Sequence, residues 1–157
     1  MLNMKSMRRV DRQMAESEAK ELLGRGEYGI LAMIDEEGCP YGVPLNYVYN
    51  NDAVYVHCAL QGKKLSAITA NSQVCFTVVG STQVLADKFA TNYESVMVFG
   101  PALIVGAAEK EVALQAIVQR YSAEFLEAGH AYIEKFRAAT QVVKINVELI
   151  TGKRRAG

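Results

Sequence analysis

Gly62-Lys63-Lys64 is the step in this chain where residue types and spacing most directly suggest chemistry. A glycine opens a short helical pattern there. The free backbone N–H groups, the positive end of the helix dipole and two ammonium groups would converge on an anion. A solvated basic turn competes with that reading, and the tripeptide alone does not separate them. Just upstream, His57 lies in Val54-Tyr55-Val56-His57-Cys58. Its side chain ionises near neutrality, so it suits proton donation, or else it is a hydrogen-bonded structural histidine. Tyr41, Tyr47, Tyr49 and Tyr55 gather around the same stretch. Aromatic faces stack on planar ring systems, although ordinary strand packing accounts for any one tyrosine. His130, on a weaker helical pattern, is assigned no role.

The elements that position these residues follow from periodicity. Asp11 is a good N-cap for a helix running to about Leu23, stopped by Gly24 and Gly26, with Ala15, Ala19, Leu22 and Leu23 on one face. Tyr28–Ile34 reads as a strand, Asp35–Gly38 as a tight turn, and Tyr41–Tyr49 as a second strand. Pro44, with no N–H to donate, marks an edge or a bulge in it. Asn50-Asn51-Asp52 turns the chain into a third strand. By period two, His57 there points away from Val54, Val56 and Cys58. A helix is expected over Lys63–Ala70. The run Val74–Val79 reads as a strand buried on both faces, residues 80–93 as a long loop, and Glu94–Gly106 as a strand bent at Gly100-Pro101. Two helices are expected, at Glu109–Tyr121 and near His130–Ala138. In the last strand Val143, Ile145, Val147 and Leu149 face inward. The chain is read as one domain over residues 1–157, with a flexible or dimer-docked arm at 1–10 and tail at 152–157. Hairpin spacings without regular β-α-β alternation favour a β-rich α+β fold, an antiparallel barrel with peripheral helices.

Composition narrows the function classes. The chain has 17 Lys+Arg and 17 Asp+Glu, so its formal net charge is zero. That argues against a nucleic-acid partner bound through a broad basic field. No apolar run reaches the ~18 residues of a membrane span, and no secretory signal is visible. Cys39, Cys58 and Cys75 are odd in number and widely spaced, which fits reduced thiols in the cytoplasm. No CxxC or HxxxH pair sets up a metal site. GxGxxG and GxxxxGK[ST] are both absent, so the Rossmann and P-loop readings lack their signatures.

With VPLNYVY, HCALQGKK and YESVMVFG in view, the chain resembles the FMN-binding split-barrel superfamily typified by pyridoxamine 5′-phosphate oxidase. Within it, the chain is most similar to the 5-nitroimidazole-resistance (Nim-type) branch. The resemblance runs from about Met7 to Lys153, through MRRVDRQM, GEYGILAM and the closing ITGK. It implies a six-stranded antiparallel split β-barrel and a homodimer with flavin at the interface. The cofactor is usually FMN; FAD, deazaflavin or haem occurs in some members. The family pattern lays Val43, Pro44, Leu45, Asn46 and Tyr47 along the isoalloxazine and ribityl chain, with Asn46 offered to the ring. It continues that wall through His57, Cys58 and Ala59. Lys63 and Lys64 then fall at the phosphate and Ser95 near the flavin, while the histidine at position 57 is implicated in reduction. From the basic tail, Lys153 and Arg154 are candidates to reach the partner's flavin phosphate.

Two departures matter. The chain has no tryptophan and ends in GKRRAG, unlike the substrate-binding close of true pyridoxamine phosphate oxidases, and Ala90-Thr91 stands where Nim-type relatives often carry Thr-Thr. The implied activity is a flavin-dependent oxidoreductase. Reduced nicotinamide or another donor would supply electrons, and a small acceptor such as a nitroimidazole would take them. The alternatives are a flavin- or haem-binding module without turnover and, less favoured, pyridoxamine phosphate oxidation.

Overall fold

Alternating apolar and polar side chains sort this chain into strands, and a computed structural model, which describes residues 6–157, shows how those strands pair. They are β1 (Gly29–Ile34), β2 (Pro40–Leu45), β3 (Val48–Asn50), β4 (Ala53–Ala59), β5 (Gln73–Leu85), β6 (Ala90–Ile104), β7 (Thr140–Asn146) and β8 (Leu149–Arg155). The helices are α1 (Glu16–Arg25), α2 (Lys63–Ala70), α3 (Ala107–Tyr121) and α4 (Leu126–Phe136). The strands run in the order β2-β1-β5-β6-β7-β4-β3, with β8 also against β6, and every pairing is antiparallel. The path has two ends and does not close. The expected antiparallel split barrel with peripheral helices is therefore present, with eight strands among the described residues rather than six.

The two extra strands have identifiable causes. The expected strand Tyr41–Tyr49 breaks after Leu45 into β2 and β3. Tyr47 turns inward at the break: it is 1% exposed, its hydroxyl donates to the Leu23 carbonyl, and its ring meets Phe76 edge-on at 4.9 Å. The basic tail is the other extra strand. Residues 152–155, expected to be flexible or dimer-docked, belong to β8, whose ladder along β6 runs from Leu149↔Phe99 to Arg155↔Tyr93. Of the expected arm at 1–10, residues 1–5 lie outside the described residues; Val10–Arg12 form a short 3-10 turn.

Four further expectations are corrected. Asp11 does not cap α1; it pairs with Arg9 at 2.6 Å, and α1 starts at Glu16, where Glu18 accepts the Ala15 N–H at 3.2 Å. Residues 80–93 are not a long loop. β5 and β6 continue through them as a two-stranded arm, paired from Thr82↔Tyr93 to Leu85↔Ala90, with Phe89 96% exposed at its tip. The irregularity lies in β5 between Val79 and Thr82 rather than at Gly100-Pro101. There β6 changes partner, since Pro101 still faces β5 and Ala102 faces β7. Finally, Val74–Val79 is buried on one face only: Val74, Phe76 and Val78 point inward, whereas Val79 is 60% exposed. Among the described residues no layer covers the other face.

Two cores result. The barrel interior packs α1 residues Ala19, Leu22 and Leu23 against Leu31, Val56, Phe76, Val98 and Ile145. A second core lies outside the barrel, where α3 and α4 set Ala113, Leu114 and Ile133 on Ala53, Tyr55 and Val142.

Candidate functional site

The split in the barrel leaves two strand edges without a backbone partner. β2 pairs on one side only, with β1. β4 loses β3 after Tyr55, so Val56–Ala59 pair with β7 alone. Free N–H and C=O groups on such edges seek hydrogen bonds from outside the sheet. Along β2, Tyr41, Val43 and Leu45 turn their side chains to the barrel core, while Gly42 and Pro44 face out. The β2 wall thus offers mainly backbone and the flat ring of Pro44.

α2 begins three residues after β4, and its start is open. Gly62 is the N-cap at φ 149°, a conformation that other residues rarely adopt, and no side chain caps the helix. The first-turn N–H groups are free to meet an anion. The two lysines do not act together. Lys63 reaches back to the β1–β2 turn, with its Nζ 3.6 Å from Asp35 Oδ2 and 4.6 Å from the centre of the Tyr41 ring. Asp35 holds that turn by accepting the amides of Cys39 at 2.8 Å and Glu37 at 3.0 Å. These bonds, the Cys39 amide foremost and Lys63 adding to them, keep its carboxyl below the usual range against partial burial. Lys64 instead carries its charge to β4, where it acts on both His57 and Cys58.

His57 points away from Val54 and Val56, as period two requires, and so faces α3 and α4. Surrounding protein strips water from the ring although it stays open on one side. That desolvation, with Lys64 adding to it, lowers its pKa from the ordinary imidazole value and so favours the neutral ring. Burial pushes the Cys58 thiol up, and Lys64 partly opposes the shift. Ala59 lies exposed at the end of β4.

The remaining predicted residues are more dispersed. The Asn46 amide donates to the Glu27 carbonyl at 2.9 Å, which fixes its orientation at the β2 end. The Tyr47 side chain is committed to the core, so only its backbone borders the split. Ser95 and Lys153 sit opposite each other on β6 and β8, on the outward face of the sheet that also carries Pro44. Three strand steps separate β2 from β6 in the sheet order, about 14 Å at the usual spacing.

Two supports of the split are not apparent from sequence spacing. The Tyr121 hydroxyl receives the Tyr47 N–H at 3.0 Å and sits 2.8 Å from the Tyr47 carbonyl and 2.7 Å from that of Glu27. Arg120 donates to the carbonyls of Arg25 and Gly26 at 2.9 and 3.0 Å. Tyr121 thus ties the end of α3 to the break between β2 and β3, and Arg120 ties it to the end of α1. Their only sequence signal is a polar pair at a helix end. Among the described residues, no three His, Cys, Asp or Glu side chains group to hold a metal ion, and no helix is long and apolar enough to cross a membrane.

Comparison with known proteins bears on this geometry. A family model described as pyridoxamine 5′-phosphate oxidase matches residues 15–154. No curated protein matches the chain. Among solved structures, a candidate 5-nitroimidazole antibiotic resistance protein from Bacteroides thetaiotaomicron shares 24% identity with a TM-score of 0.73, over 90% of this chain and 86% of that one. An FAD-binding protein from Mycobacterium smegmatis shares 25% identity at TM-score 0.67, over 92% and 99%. An FAD- and haem-binding protein from the same organism has TM-score 0.79 at 18% identity, over 93% and 74%.

Proposed function

Because the chain belongs to the pyridoxamine 5′-phosphate oxidase family, we propose that it binds a flavin at the barrel split and acts as an oxidoreductase on a small acceptor such as a nitroimidazole or another nitroaromatic. The observation that carries this reading is the uncapped start of α2, set between the free edges of β2 and β4. The residues present fit such a cofactor. The α2 amides and Lys64 would hold its phosphate, with Lys63 beside them. The edge from Val43 to Asn46 would orient a planar polar ring, and His57, Cys58 and Ala59 would close the far side. Bound flavin would supply the electron chemistry; the protein supplies position and electrostatics. FMN is the expected form and FAD the alternative, with reduced nicotinamide as the candidate donor. The similarity to an FAD-binding protein and to a candidate nitroimidazole-resistance protein supports this assignment.

The site is completed in a homodimer. Ser95 and Lys153 stand on β6 and β8, several strand steps from β2 in the sheet order, and we assign them to the flavin of a second copy. The outward sheet face between them, with Ile30, Met97 and Val79 exposed, is the surface for that partner. A cytoplasmic setting suits the three free thiols.

Visible spectroscopy of the purified protein, with mass identification of the species released by heating, tests the cofactor. Anaerobic addition of reduced nicotinamide and then a nitroimidazole tests turnover. Replacing both Lys63 and Lys64 with Ala is expected to release flavin during purification; full occupancy in that variant would overturn the assignment. A second reading, a non-catalytic flavin- or haem-binding module, draws support from the FAD- and haem-binding neighbour. A Soret band, or a flavin that stays oxidised under several donors, would favour it.

A further inference from the structure

β5 and β6 run on past the barrel as a two-stranded ribbon, and its tip is unlike the rest of the surface. The last β8 partner is Arg155, opposite Tyr93, so among the described residues Thr82–Leu85 and Ala90–Asn92 lie beyond the reach of a third strand. A two-stranded ribbon by itself is at best marginally stable in water. Its base is held: Arg155 Nη1 donates to Asn92 Oδ1 at 2.7 Å, and the Asn92 amide donates to Gln83 at 3.3 Å. Its tip carries Phe89, 96% exposed, with Val84 76% exposed behind it. Phe89 sits in the left-handed region at φ 48°, where a bulky side chain is strained. A phenyl ring presented on a strained turn, clear of its own chain, has the form of an anchor that another surface receives.

The same chain carries a pocket of matching size and chemistry. Between α3, α4 and β4 lies a half-open space of about 180 Å³, walled by Leu114, Ile117, Val118, Ile133 and Phe136. An apolar cavity of roughly 150 Å³ holds a benzene ring. Tyr132 also borders the pocket, its ring centre 4.5 Å from that of Phe136, and both rings keep much of their surface exposed. Phe89, being almost fully exposed, does not occupy the pocket in its own chain. The molecule therefore leaves open both a ring-sized apolar pocket and an apolar ring on a projecting arm.

We propose that the arm is a clasp between two copies of this chain, with Phe89 of one copy seated in the pocket between α3, α4 and β4 of the other. A two-fold axis makes the contact twice, each chain giving an arm and receiving one. The choice of that pocket rests on the dimeric flavin reading above. There Ser95, on the strand that continues into the arm, serves the flavin of the second copy. His57 closes the far side of that flavin and also borders the pocket. From Ser95 to Ala90, β6 spans about 17 Å at the usual strand rise. That reach passes a flavin ring system and brings the tip to the helices beyond it. The arm then lies across the cofactor, so loss of its anchor weakens flavin retention as well as association.

The test uses the full chain. Phe89→Asn removes the ring and keeps a residue that tolerates the left-handed turn. It should raise the dimer dissociation constant at least tenfold in sedimentation, with and without flavin, at an unchanged circular dichroism spectrum. Replacing Phe89 with p-benzoylphenylalanine then maps the seat. In exchanged mixtures of isotopically light and heavy chains, ultraviolet crosslinks should join position 89 of one chain to residues 114–118 or 132–136 of the other. A chain that stays monomeric, association unchanged in Phe89→Asn, or crosslinks confined to one chain or to any other surface would overturn the proposal. Crosslinks at the pocket of a second copy in a protein that never takes up flavin would support the clasp and sink the flavin reading. Bound flavin in a protein whose arm crosslinks elsewhere would do the reverse.

Discussion

The outward faces of the two halves of the barrel are made from similar strands and end in different states. On the half formed by β3, β4 and β7, the outward residues Ala53, Tyr55 and Val142 are buried under Leu114 and Ile133. On the half formed by β1, β2, β5 and β8, the outward residues Ile30, Ile34 and Val79 keep 39%, 38% and 60% of their surface. Strand chemistry does not distinguish them. The chain inserts two helices between β6 and β7, and those helices cover only the face beside them. A covered face leaves a half-open pocket next to His57, between α3, α4 and β4. A bare face offers open wall and sheet surface, the side on which the proposed second copy would dock.

The largest expected effect comes from removing the cover. Ile133→Ala should cost about 2–5 kcal/mol in urea unfolding, as for other large-to-small core changes. Val79→Thr on the bare face should stay within about 0.5 kcal/mol for the isolated chain. Equal costs at the two positions would break the comparison. On the bare side, the consequence should appear in self-association instead, read by sedimentation.

The next effect separates charges in the fold. Glu94, 8% exposed, accepts Arg25 at 2.9 Å and the Ser81 amide at 3.3 Å, with Arg154 at 3.6 Å. Burial pushes its carboxyl up, but Arg25, the Ser81 amide and Arg154 outweigh that and hold it below 4.5. A depressed folded pKa means the stabilisation is present above the unfolded value and is lost as pH falls below it. Glu94→Gln should cost about 1–3 kcal/mol near neutrality, discounted for the exposed Arg25. It should also flatten the acid limb of a stability–pH curve. An unchanged limb would mean that other carboxylates govern acid unfolding.

A smaller effect sharpens the split itself. Lys64→Ala is expected to weaken flavin by roughly tenfold, the scale of one hydrogen bond to a charged group. Lys63→Ala should do less, because Asp35 and Tyr41 already hold that ammonium. Equal losses in fluorescence titration would show that both reach the phosphate. Smallest of all, the His57 NMR titration should fall below pH 6.5 and move up in Lys64→Ala, without returning fully, because desolvation is the larger cause.

How legible these features were depended on what set them. α2 was readable at Lys63–Ala70 because a glycine start and an inward Leu65 and Ile68 are local signals. The alternation of β7 and the side of β4 that carries His57 were readable for the same reason. The arm at 80–93 was not. Strands that leave the core bury neither face, so Thr82–Leu85 show no burial period and only their pairing with Ala90–Tyr93 makes them strand. β8 was hidden by its charges. Arg154 is accommodated by Glu18 at 3.1 Å and Arg155 by Asn92 at 2.7 Å, partners more than sixty positions away.

The sequence alone determined most of the segment types, the glycine start of α2 and the alternation that sends His57 away from Val54 and Val56. Periodicity and capping are properties of neighbouring residues, so they survive without a fold. Tertiary structure decided what each exposed group meets. It buried Tyr47, sent Lys63 to Asp35 and Lys64 toward β4, placed Ser95 and Lys153 several strand steps from Pro44, and gave His57 a half-open pocket. Those outcomes depend on which distant segment packs alongside, and no local pattern encodes the distance between segments that only the barrel brings together.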